Sequence, residues 1–266
     1  MMFQEDSRFP GNMILYFLLP LFLLGELHAE QKIVYMTTPK GGSQLLRKAI
    51  SMIVPLPLKK LPSPQECSDL EKDDVIAYHH LEPGYDFIKN DKEDYIKIVM
   101  IRDPRDVIVS MNEWIKVMAD TPLASEFLTH PQEEQLHELI ENPNLQMNGF
   151  YPYVFDTKLA IKEALSWVKN PSVFLCRFED LIGEKGGGSR EKQEETIAAL
   201  AMHLKKTLPT TKIQEIADSL FGDTVTFRKG QIGSWKEAFT PHLKEVCKKA
   251  MGQELIELGY ETNFNW

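Results

Sequence analysis

Residues 32–43, which read KIVYMTTPKGGS, decide the fold of this chain. Residues 32–36, which are apolar after Lys32, predict a short buried strand. Residues 37–43 predict a turn, and residues 44–53 predict a helix. Backbone N–H groups in such a loop, together with the N-terminus of the following helix, form a natural anion site, to which Lys40 would add a positive charge. The alternative is that Gly41 and Gly42 form only a tight turn and that Lys40 is a solvated surface charge without a ligand. The loop also lacks the GxxxxGK[ST] order of an ordinary nucleotide-triphosphate loop.

The alternation of strands and helices continues along the chain. Further strands are predicted at residues 75–78, 95–101 and 172–177. Further helices are predicted from residue 104 toward 118, within a helical layer at 120–170, up to residue 204, and at 210–220 and 242–258. Strands that alternate with helices are typical of an α/β fold, here a central parallel sheet flanked by helices.

Cap and turn residues mark the boundaries of these elements. The N-terminal helix signals are Asp103-Pro104, Thr210 or Thr211, and Thr240-Pro241. Prolines at positions 55 and 57 end the first helix, and the polar stretch to residue 74 predicts an irregular connection. Residues 183–190, which include the glycine run 186–188, predict a flexible, poorly ordered loop.

Composition limits the classes of function. The chain has 266 residues, 43% of them hydrophobic, which favours one domain, expected at residues 30–266. Its formal net charge of −9 argues against nucleic acid as a partner, so any anion site must be local. The three cysteines, Cys67, Cys176 and Cys247, are too few and too scattered for a disulfide framework, and no metal site is expected.

The N-terminal segment, residues 1–29, is a separate hydrophobic piece. Its apolar run, residues 13–24, is shorter than the roughly 20 residues of a transmembrane helix and fits the core of a signal peptide, with Ala29 at a plausible cleavage position. A retained hydrophobic extension is the equal alternative. An export signal implies the secretory pathway, a retained segment implies membrane association, and a segment that does neither implies the cytoplasm.

Two downstream segments carry cations beside turn or cap residues. Residues 102–110 read RDPRDVIVS, so that Arg102 lies at the end of a strand and Ser110 about two turns into a helix, and both could reach one phosphate at the carboxyl edge of the sheet. Residues 227–230 read FRKG, a cation pair next to a glycine that permits close backbone approach to an anion. The alternatives are a capped helix with two exposed arginines and a basic surface loop.

Taken together, over roughly residues 32–260, these segments resemble the PAPS-dependent sulfotransferase family, where PAPS is 3′-phosphoadenosine-5′-phosphosulfate. Residues 37–45 resemble the family's TYPKSGTTW loop, residues 102–110 its RNPKDxxVS segment, residues 228–236 its RKGxxGxWK segment, and residues 177–181 its KYEDL segment. The resemblance implies a P-loop-like sulfotransferase fold, PAPS as co-substrate and 3′-phosphoadenosine-5′-phosphate (PAP) as product.

The resemblance also implies a role for each matching residue. The 5′-phosphosulfate would be held by Lys40, Gly41, Gly42, Ser43 and Gln44, with Lys40 also stabilising charge on the bridging oxygen. The 3′-phosphate would be held by Arg102, Ser110, Arg228, Lys229 and Gly230. In cytosolic members the catalytic histidine lies in KTHLP. Because residues 78–81 read YHHL, His80 is expected to be the base, with His79 as the alternative.

Two residues depart from the family pattern. Leu45 stands where the family usually has a tryptophan that stacks on adenine, and Phe178 where a tyrosine often contacts the base. These departures leave open a protein that binds PAP or PAPS without turnover, and a nucleotide-dependent kinase is a further alternative. The acceptor is not readable: a small phenol, a carbohydrate, a lipid or a protein tyrosine remains open, and Phe150, Tyr151 and Tyr153 either line its pocket or pack in the core. Oligomeric state is equally unreadable.

Overall fold

The computed structural model describes most of the chain from residue 32 onward. The described residues are 32–55, 58–60, 76–81, 95–117, 122–141, 157–224 and 227–266, and side chains are not described at 58–60, 76–80 and 122–123. The hydrophobic segment 1–29, with its expected export signal, lies outside these ranges, as do Cys67, Phe150, Tyr151 and Tyr153.

A five-stranded parallel sheet forms the centre of the molecule. Its strands are β1 (Lys32–Thr37), β2 (Leu58–Lys60), β3 (Ile76–His80), β4 (Tyr95–Ile101) and β5 (Val173–Arg177). Their order is β2-β3-β1-β4-β5, and every neighbouring pair is parallel. The predicted α/β class with a central parallel sheet is therefore confirmed. Because the strands are parallel, the loops after β1, β3, β4 and β5 all emerge at one carboxyl edge.

Helices surround this sheet. They are α1 (Ser43–Ile53), α2 (Pro104–Val117), α3 (Pro122–Thr129), α4 (Gln132–Glu141), α5 (Thr157–Val168), α6 (Phe178–Leu181), α7 (Arg190–His203), α8 (Thr210–Leu220), α9 (Trp235–Ala238) and α10 (Pro241–Glu257). The predicted caps Asp103 and Thr240 are present: Asp103 Oδ1 accepts from the N–H of Arg105, and Thr240 Oγ1 accepts from the N–H of Leu243. In the described part of the chain, no helix is both long and apolar enough to cross a membrane.

Both faces of the sheet are covered, because alternate residues of the central strands belong to different cores. On one face, Val34 and Met36 of β1 with Val99 and Ile101 of β4 pack against helices α4, α5 and α10. On the other face, Ile33 and Tyr35 with Ile98 and Met100 pack against α1, α7 and α8. Strands buried on both faces read as continuous apolar runs, which explains why β1 and β4 were readable from the sequence.

Three local predictions are wrong. Residues 58–60, predicted to lie in an irregular connection, form the edge strand β2, whose three residues are too few to show a periodic pattern. Helix α8 has Pro209 as its N-cap without a side-chain cap, so neither Thr210 nor Thr211 has that role. The glycine-rich segment 183–189, predicted to be poorly ordered, is a compact turn in which the N–H groups of Gly186 and Gly188 both donate to the carbonyl of Gly183.

Candidate functional site

The loops that follow β1, β3 and β4 are tied together at the carboxyl edge of the sheet. The backbone N–H of Thr38 donates to the carbonyl of Met100 at 3.2 Å, joining the end of β1 to the end of β4. The N–H of Leu81 donates to the carbonyl of Thr37 at 2.8 Å, joining β3 to β1. The predicted phosphate loop therefore lies between the ends of the strands that lead to His80 and to Arg102.

The phosphate loop, residues 38–43, presents an open helix N-terminus. Gly42 is the N-cap of α1, lies in the left-handed region at φ 100°, and makes no side-chain cap. The first N–H groups of a helix have no partner within the helix, and groups of this kind can bind an anion. Lys40 is also left-handed, at φ 57°, which turns the chain tightly before the helix.

Both glycines of this loop lie where a side chain would collide. A Cβ atom on Gly41 would lie 2.1 Å from Thr38 Oγ1 and 2.7 Å from the carbonyl oxygen of Thr38. A Cβ atom on Gly42 would lie 2.7 Å from Cδ2 of Phe178. The first contact follows from the turn itself, whereas the second depends on α6, which brings Phe178 beneath the loop. Close packing favours glycine at both positions, and the positive φ of Gly42 adds a backbone requirement at that one.

Arg102 joins the phosphate loop to the C-terminal loop, residues 227–234. Its guanidinium donates to the carbonyl of Lys40 at 3.4 Å and to the carbonyl of Gln231 at 2.8 Å. It also stacks on the ring of Phe178, with Cζ 4.3 Å from the ring centroid. Only 8% of the residue is exposed, so the alternative of an exposed arginine is wrong at this position.

Arg105, three residues later, is fixed within the protein. Its guanidinium binds Asp103 Oδ2 at 2.8 Å, forms a second ion pair with Glu261, and lies between the rings of Trp235 and Trp266 at 3.8 and 4.4 Å. Only 2% of it is exposed. Arg105 therefore stabilises the junction between α2 and the C-terminus, and its contacts leave Arg102 as the arginine of this segment that faces the site.

Asp106 holds the C-terminal loop in place, a role that the sequence analysis missed. Its carboxylate accepts from the N–H of Gly233 at 2.7 Å and from the N–H of Trp235 at 3.0 Å. The same carboxylate lies 3.7 Å from the guanidinium of Arg102. The pKa of Asp106 is raised above its ordinary value because burial outweighs the opposing effects of Arg102 and the two N–H donors. The sequence signal was an acidic residue within the 102–110 segment, one turn after Arg102.

The C-terminal loop is also docked on the glycine-rich turn. The N–H of Ile232 donates to the carbonyl of Gly186 at 2.9 Å, and the side-chain amide of Gln231 donates to the carbonyl of Lys185 at 2.8 Å. A Cβ atom on Gly186 would lie 2.6 Å from the carbonyl oxygen of Gly230. Because Gly186 has no side chain, the backbone of the glycine-rich turn can pack directly against the backbone of the C-terminal loop, which helps to place residues 228–230.

Arg228 and Lys229 lie on the outer side of this loop. Arg228 Nη1 binds Glu113 Oε2 on α2 at 2.7 Å. Gly230 has a φ of 59°, and a Cβ atom there would lie 2.7 Å from the ring of Phe227. The positive φ and the close ring both favour glycine at this position, whereas the predicted approach of an anion to Gly230 stays a prediction.

Lys40 lies in a strongly positive environment. Burial, followed by the positive charges of Arg228 and Arg102, lowers the pKa of Lys40 from 10.5 to about 8. Its Nζ lies 5.5 Å from the centroid of the Trp114 ring. Neighbouring cations destabilise the protonated form of Lys40, so this lysine is expected to bind an anion strongly, because the anion relieves the repulsion between the positive charges.

The remaining predicted residues lie at or near the same edge. Ser43 and Gln44 are the first two residues of α1, and Ser110 lies in α2, half-buried. In the register of β1 with β3, His80 lies opposite Thr37, and His79 lies opposite Met36. His80 is thus paired with the residue immediately before the phosphate loop, while the side chains of both histidines lie outside the described part of the structure.

Several observations fit a doubly anionic ligand. Lys40, Arg102 and Arg228 come from three different segments, and the positive charges of Arg228 and Arg102 both lower the pKa of Lys40. In the described part of the chain, two buried polar atoms beside them, Thr38 Oγ1 and Arg102 Nε, have no hydrogen-bond partner. Buried polar atoms are normally paired, so these two leave hydrogen-bonding capacity unused beside the cations. Within the same ranges, no group of three or more histidine, cysteine, aspartate or glutamate side chains is placed to hold a metal ion.

Comparison with known proteins identifies what this arrangement is similar to. A sulfotransferase domain matches residues 30–259 of the chain. No curated protein is matched.

Solved structures share the fold. The mouse sulfotransferase SULT7A1, complexed with PAP, is 19% identical, with 87% of this chain and 89% of that chain covered, at a TM-score of 0.55. Retinol dehydratase in complex with androsterone and inactive cofactor PAP is 15% identical, with 85% and 81% covered, at a TM-score of 0.55. Retinol dehydratase in a complex with retinol and PAP is 14% identical, with 84% and 81% covered, at a TM-score of 0.54.

Proposed function

This chain belongs to the sulfotransferase domain family, and on that premise we propose that it transfers a sulfuryl group from PAPS to a hydroxyl or amine acceptor. The observation that carries the proposal is the position of Arg102, which donates both to the phosphate loop at Lys40 and to the C-terminal loop at Gln231. A single buried arginine thereby joins the two loops that would bind the two phosphate ends of the donor. The solved relatives that share the fold were complexed with PAP, which supports the same donor here.

The two ends of the donor would be bound by different parts of the site. The 5′-phosphosulfate would lie against Lys40, the N–H groups that follow Gly41 and Gly42, and the side chains of Ser43 and Gln44. The 3′-phosphate would be bound by Arg102, Ser110, Arg228, Lys229 and Gly230. Because ATP has no 3′-phosphate, this second set of residues would select PAPS over ATP.

Positioning and charge stabilisation would supply most of the rate, as in phosphoryl transfer. His80 would accept the acceptor's proton while the acceptor oxygen or nitrogen bonds to sulfur and the bond from sulfur to the bridging oxygen breaks. Lys40 would stabilise the negative charge that develops on that bridging oxygen. The products would be the sulfated acceptor and PAP, with the proton left on His80, and the reaction requires no metal ion.

The test of the proposal is calorimetric titration of the full chain with PAP. The wild type is expected to bind, and Arg228→Ala is expected to bind about 30-fold or more weakly, because one partner of a charge-assisted phosphate contact is removed. Arg190→Ala is the matched control, since Arg190 is also partly exposed and pairs with Glu194 and Asp218. A folded wild type that does not bind PAP would overturn the proposal.

Binding of PAP or PAPS without turnover is the second candidate function, and one observation favours it. Leu45, a residue of α1, is only 7% exposed and packs in the apolar core. As an aliphatic side chain it offers no aromatic face to a base. PAP binding without sulfation of any member of a panel of phenols, sterols, carbohydrates and tyrosine peptides would support this candidate. Preference for ATP with magnesium over PAPS would instead support a kinase.

Three further proposals concern the molecule as a whole. Residues 30–266 are proposed to form one catalytic domain, preceded by the hydrophobic segment 1–29. Small-molecule, carbohydrate or lipid acceptors are the proposed partners, and nucleic acid is not one of them because of the negative net charge. Secretion or membrane association would follow from the N-terminal segment, and its removal is measured by sequencing the N-terminus of the mature protein.

A further inference from the structure

An acidic side chain is bound to the guanidinium of Arg228, a proposed ligand of the 3′-phosphate. Glu113 of α2 accepts from the guanidinium of Arg228 at 2.7 Å, and it also binds Lys116 at 2.6 Å. The Arg228 side chain is 35% exposed and that of Glu113 is 28% exposed, so solvent and ligands can reach the pair. A carboxylate presents two oxygens to a guanidinium in much the same way as a phosphate does.

The remaining anchors of the C-terminal loop do not hold Arg228 itself. Asp106 binds the N–H groups of Gly233 and Trp235, and the carbonyl of Gly186 accepts from Ile232, so these contacts fix the second half of the loop. Within the described residues, the polar contact of the Arg228 guanidinium is with Glu113. The orientation of this arginine in the nucleotide-free protein therefore depends on α2.

Arg102 and Arg228 differ in what a phosphate would have to displace. Arg102 is held by two backbone carbonyls, stacks on Phe178 and lies 3.7 Å from the carboxylate of Asp106, which is itself bound by two backbone N–H groups. That carboxylate is farther from its arginine than the carboxylate that binds Arg228 at 2.7 Å. The guanidinium of Arg228 is already bound to a charged oxygen. A phosphate that binds Arg228 must therefore share it with Glu113 or displace Glu113 from it.

We propose that Glu113 is an internal counter-anion that positions Arg228 in the nucleotide-free protein and competes with the 3′-phosphate of the donor for it. The inference rests on the proposed function, because it takes Arg228 as a ligand of that phosphate. Glu113 is a positioning residue and does not touch the reacting atoms. By competing, it weakens the binding of both PAPS and PAP, and it rebinds Arg228 as the product nucleotide leaves.

The charges around Glu113 support this role. Although burial acts in the opposite direction, the hydrogen bond from Lys116 and the positive charges of Lys116, Arg228 and Lys229 together lower the pKa of Glu113. The carboxylate is therefore ionised at neutral pH and available to Arg228. Its second partner, Lys116, limits how strongly it holds the arginine, because one carboxylate is shared between two cations.

The test is a double-mutant cycle measured by calorimetric titration with PAP at low ionic strength. The proteins are the wild type, Glu113→Gln, Arg228→Ala and the double variant, with Glu215→Gln as the control. Glu215 is a matched choice because, like Glu113, it is ion-paired with a lysine three residues away, here Lys212 on α8. Glu215→Gln also makes the same change in net charge as Glu113→Gln. Low ionic strength is used because salt screens exposed ion pairs.

Glu113→Gln is expected to bind PAP about threefold to fivefold more tightly than the wild type, the size of one exposed ion pair. The gain should disappear in the Arg228→Ala background, since no arginine is left to compete for. An equal gain in both backgrounds would mean general repulsion between Glu113 and the phosphate, and would overturn the inference. Equal or weaker binding by Glu113→Gln than by the wild type would overturn it as well.

Hydrogen exchange without nucleotide provides a second measurement that does not depend on affinity. Release of Arg228 in Glu113→Gln should increase exchange in residues 227–230, while residues 232–235, which Asp106 and Gly186 hold, should be unchanged. Unchanged exchange at 227–230 in a folded variant would contradict the positioning role. The two proposals fail differently: a wild type that does not bind PAP removes the proposed function, whereas binding without the Glu113 effect removes this inference alone.

Discussion

The carboxylate of Asp106 accepts a hydrogen bond from the backbone N–H of Gly233 at 2.7 Å, across 127 residues of sequence. The same carboxylate accepts from Trp235 and lies beside the guanidinium of Arg102. One buried side chain therefore fixes the C-terminal loop and helps to orient the arginine that reaches from that loop to the phosphate loop. The relative positions of the proposed donor contacts depend on this group.

Asp106→Asn is expected to weaken PAP binding about tenfold or more and to lower the free energy of unfolding by about 1–3 kcal/mol. The amide has one acceptor oxygen for two N–H donors, and Arg102 would lose a charged neighbour in a buried site. Calorimetric titration with PAP and thermal unfolding of the same preparations measure the two effects. Asp218→Asn, at an exposed partner of Arg190, is the control and should change neither. Normal PAP binding by Asp106→Asn would show that the loop does not depend on this carboxylate.

PAP binding is expected to weaken as the pH rises above about 8. Burial and the charges of Arg228 and Arg102 lower the pKa of Lys40 to about 8 in the free protein, so Lys40 loses its charge in this range, and the anion favours the protonated form. The dissociation constant should therefore increase by up to about tenfold per pH unit, and binding near pH 8 should take up a proton. Titration in buffers of different ionisation enthalpy measures that proton directly. Lys40→Arg, which stays charged, should bind PAP without this pH dependence.

Gly42→Ala is expected to destabilise the phosphate loop more than a backbone effect alone would. The new Cβ atom would lie 2.7 Å from the ring of Phe178, which also supports Arg102, and the residue would remain at φ 100°. A loss of about 1–3 kcal/mol in the free energy of unfolding and weaker PAP binding are expected. Gly222→Ala is a matched control, because Gly222 also has a positive φ, 84°, but has open space around its Cα. Equal effects of both substitutions would indicate that only the backbone conformation matters.

His80→Ala is expected to lose about 100-fold to 10,000-fold in turnover while binding PAP normally, as removal of a general base predicts. The measurement requires an acceptor from the panel described above, followed at saturating PAPS. His79→Ala is the direct comparison, because the two histidines are adjacent in β3 and pair with Met36 and Thr37 of β1. Full turnover by His80→Ala would transfer the role of base to another group, with His79 tested first.

Local patterns in the sequence were sufficient for most of the fold. Doubly covered strands are continuous apolar runs, and Asp103 and Thr240 cap their helices with bonds that span two or three residues, so β1, β4 and the starts of α2 and α10 were correctly predicted. Parallel order then places the ends of the strands at one edge, as predicted for Arg102 and Ser110 at the carboxyl edge of the sheet. Strand β2 was missed because three residues at a sheet edge carry too little pattern.

Only the tertiary structure decided which charged side chains serve the site. Arg102 and Arg105 have the same chemistry and lie three residues apart, yet Trp235, Trp266 and Glu261 enclose the second and leave the first beside the loop. The roles of Asp106 and Glu113 likewise arise from partners more than 100 residues away. A charge in a sequence specifies what a residue can bind. Which partner it binds is set by the packing of helices and loops around the sheet, because burial and distance determine the strength of each electrostatic contact.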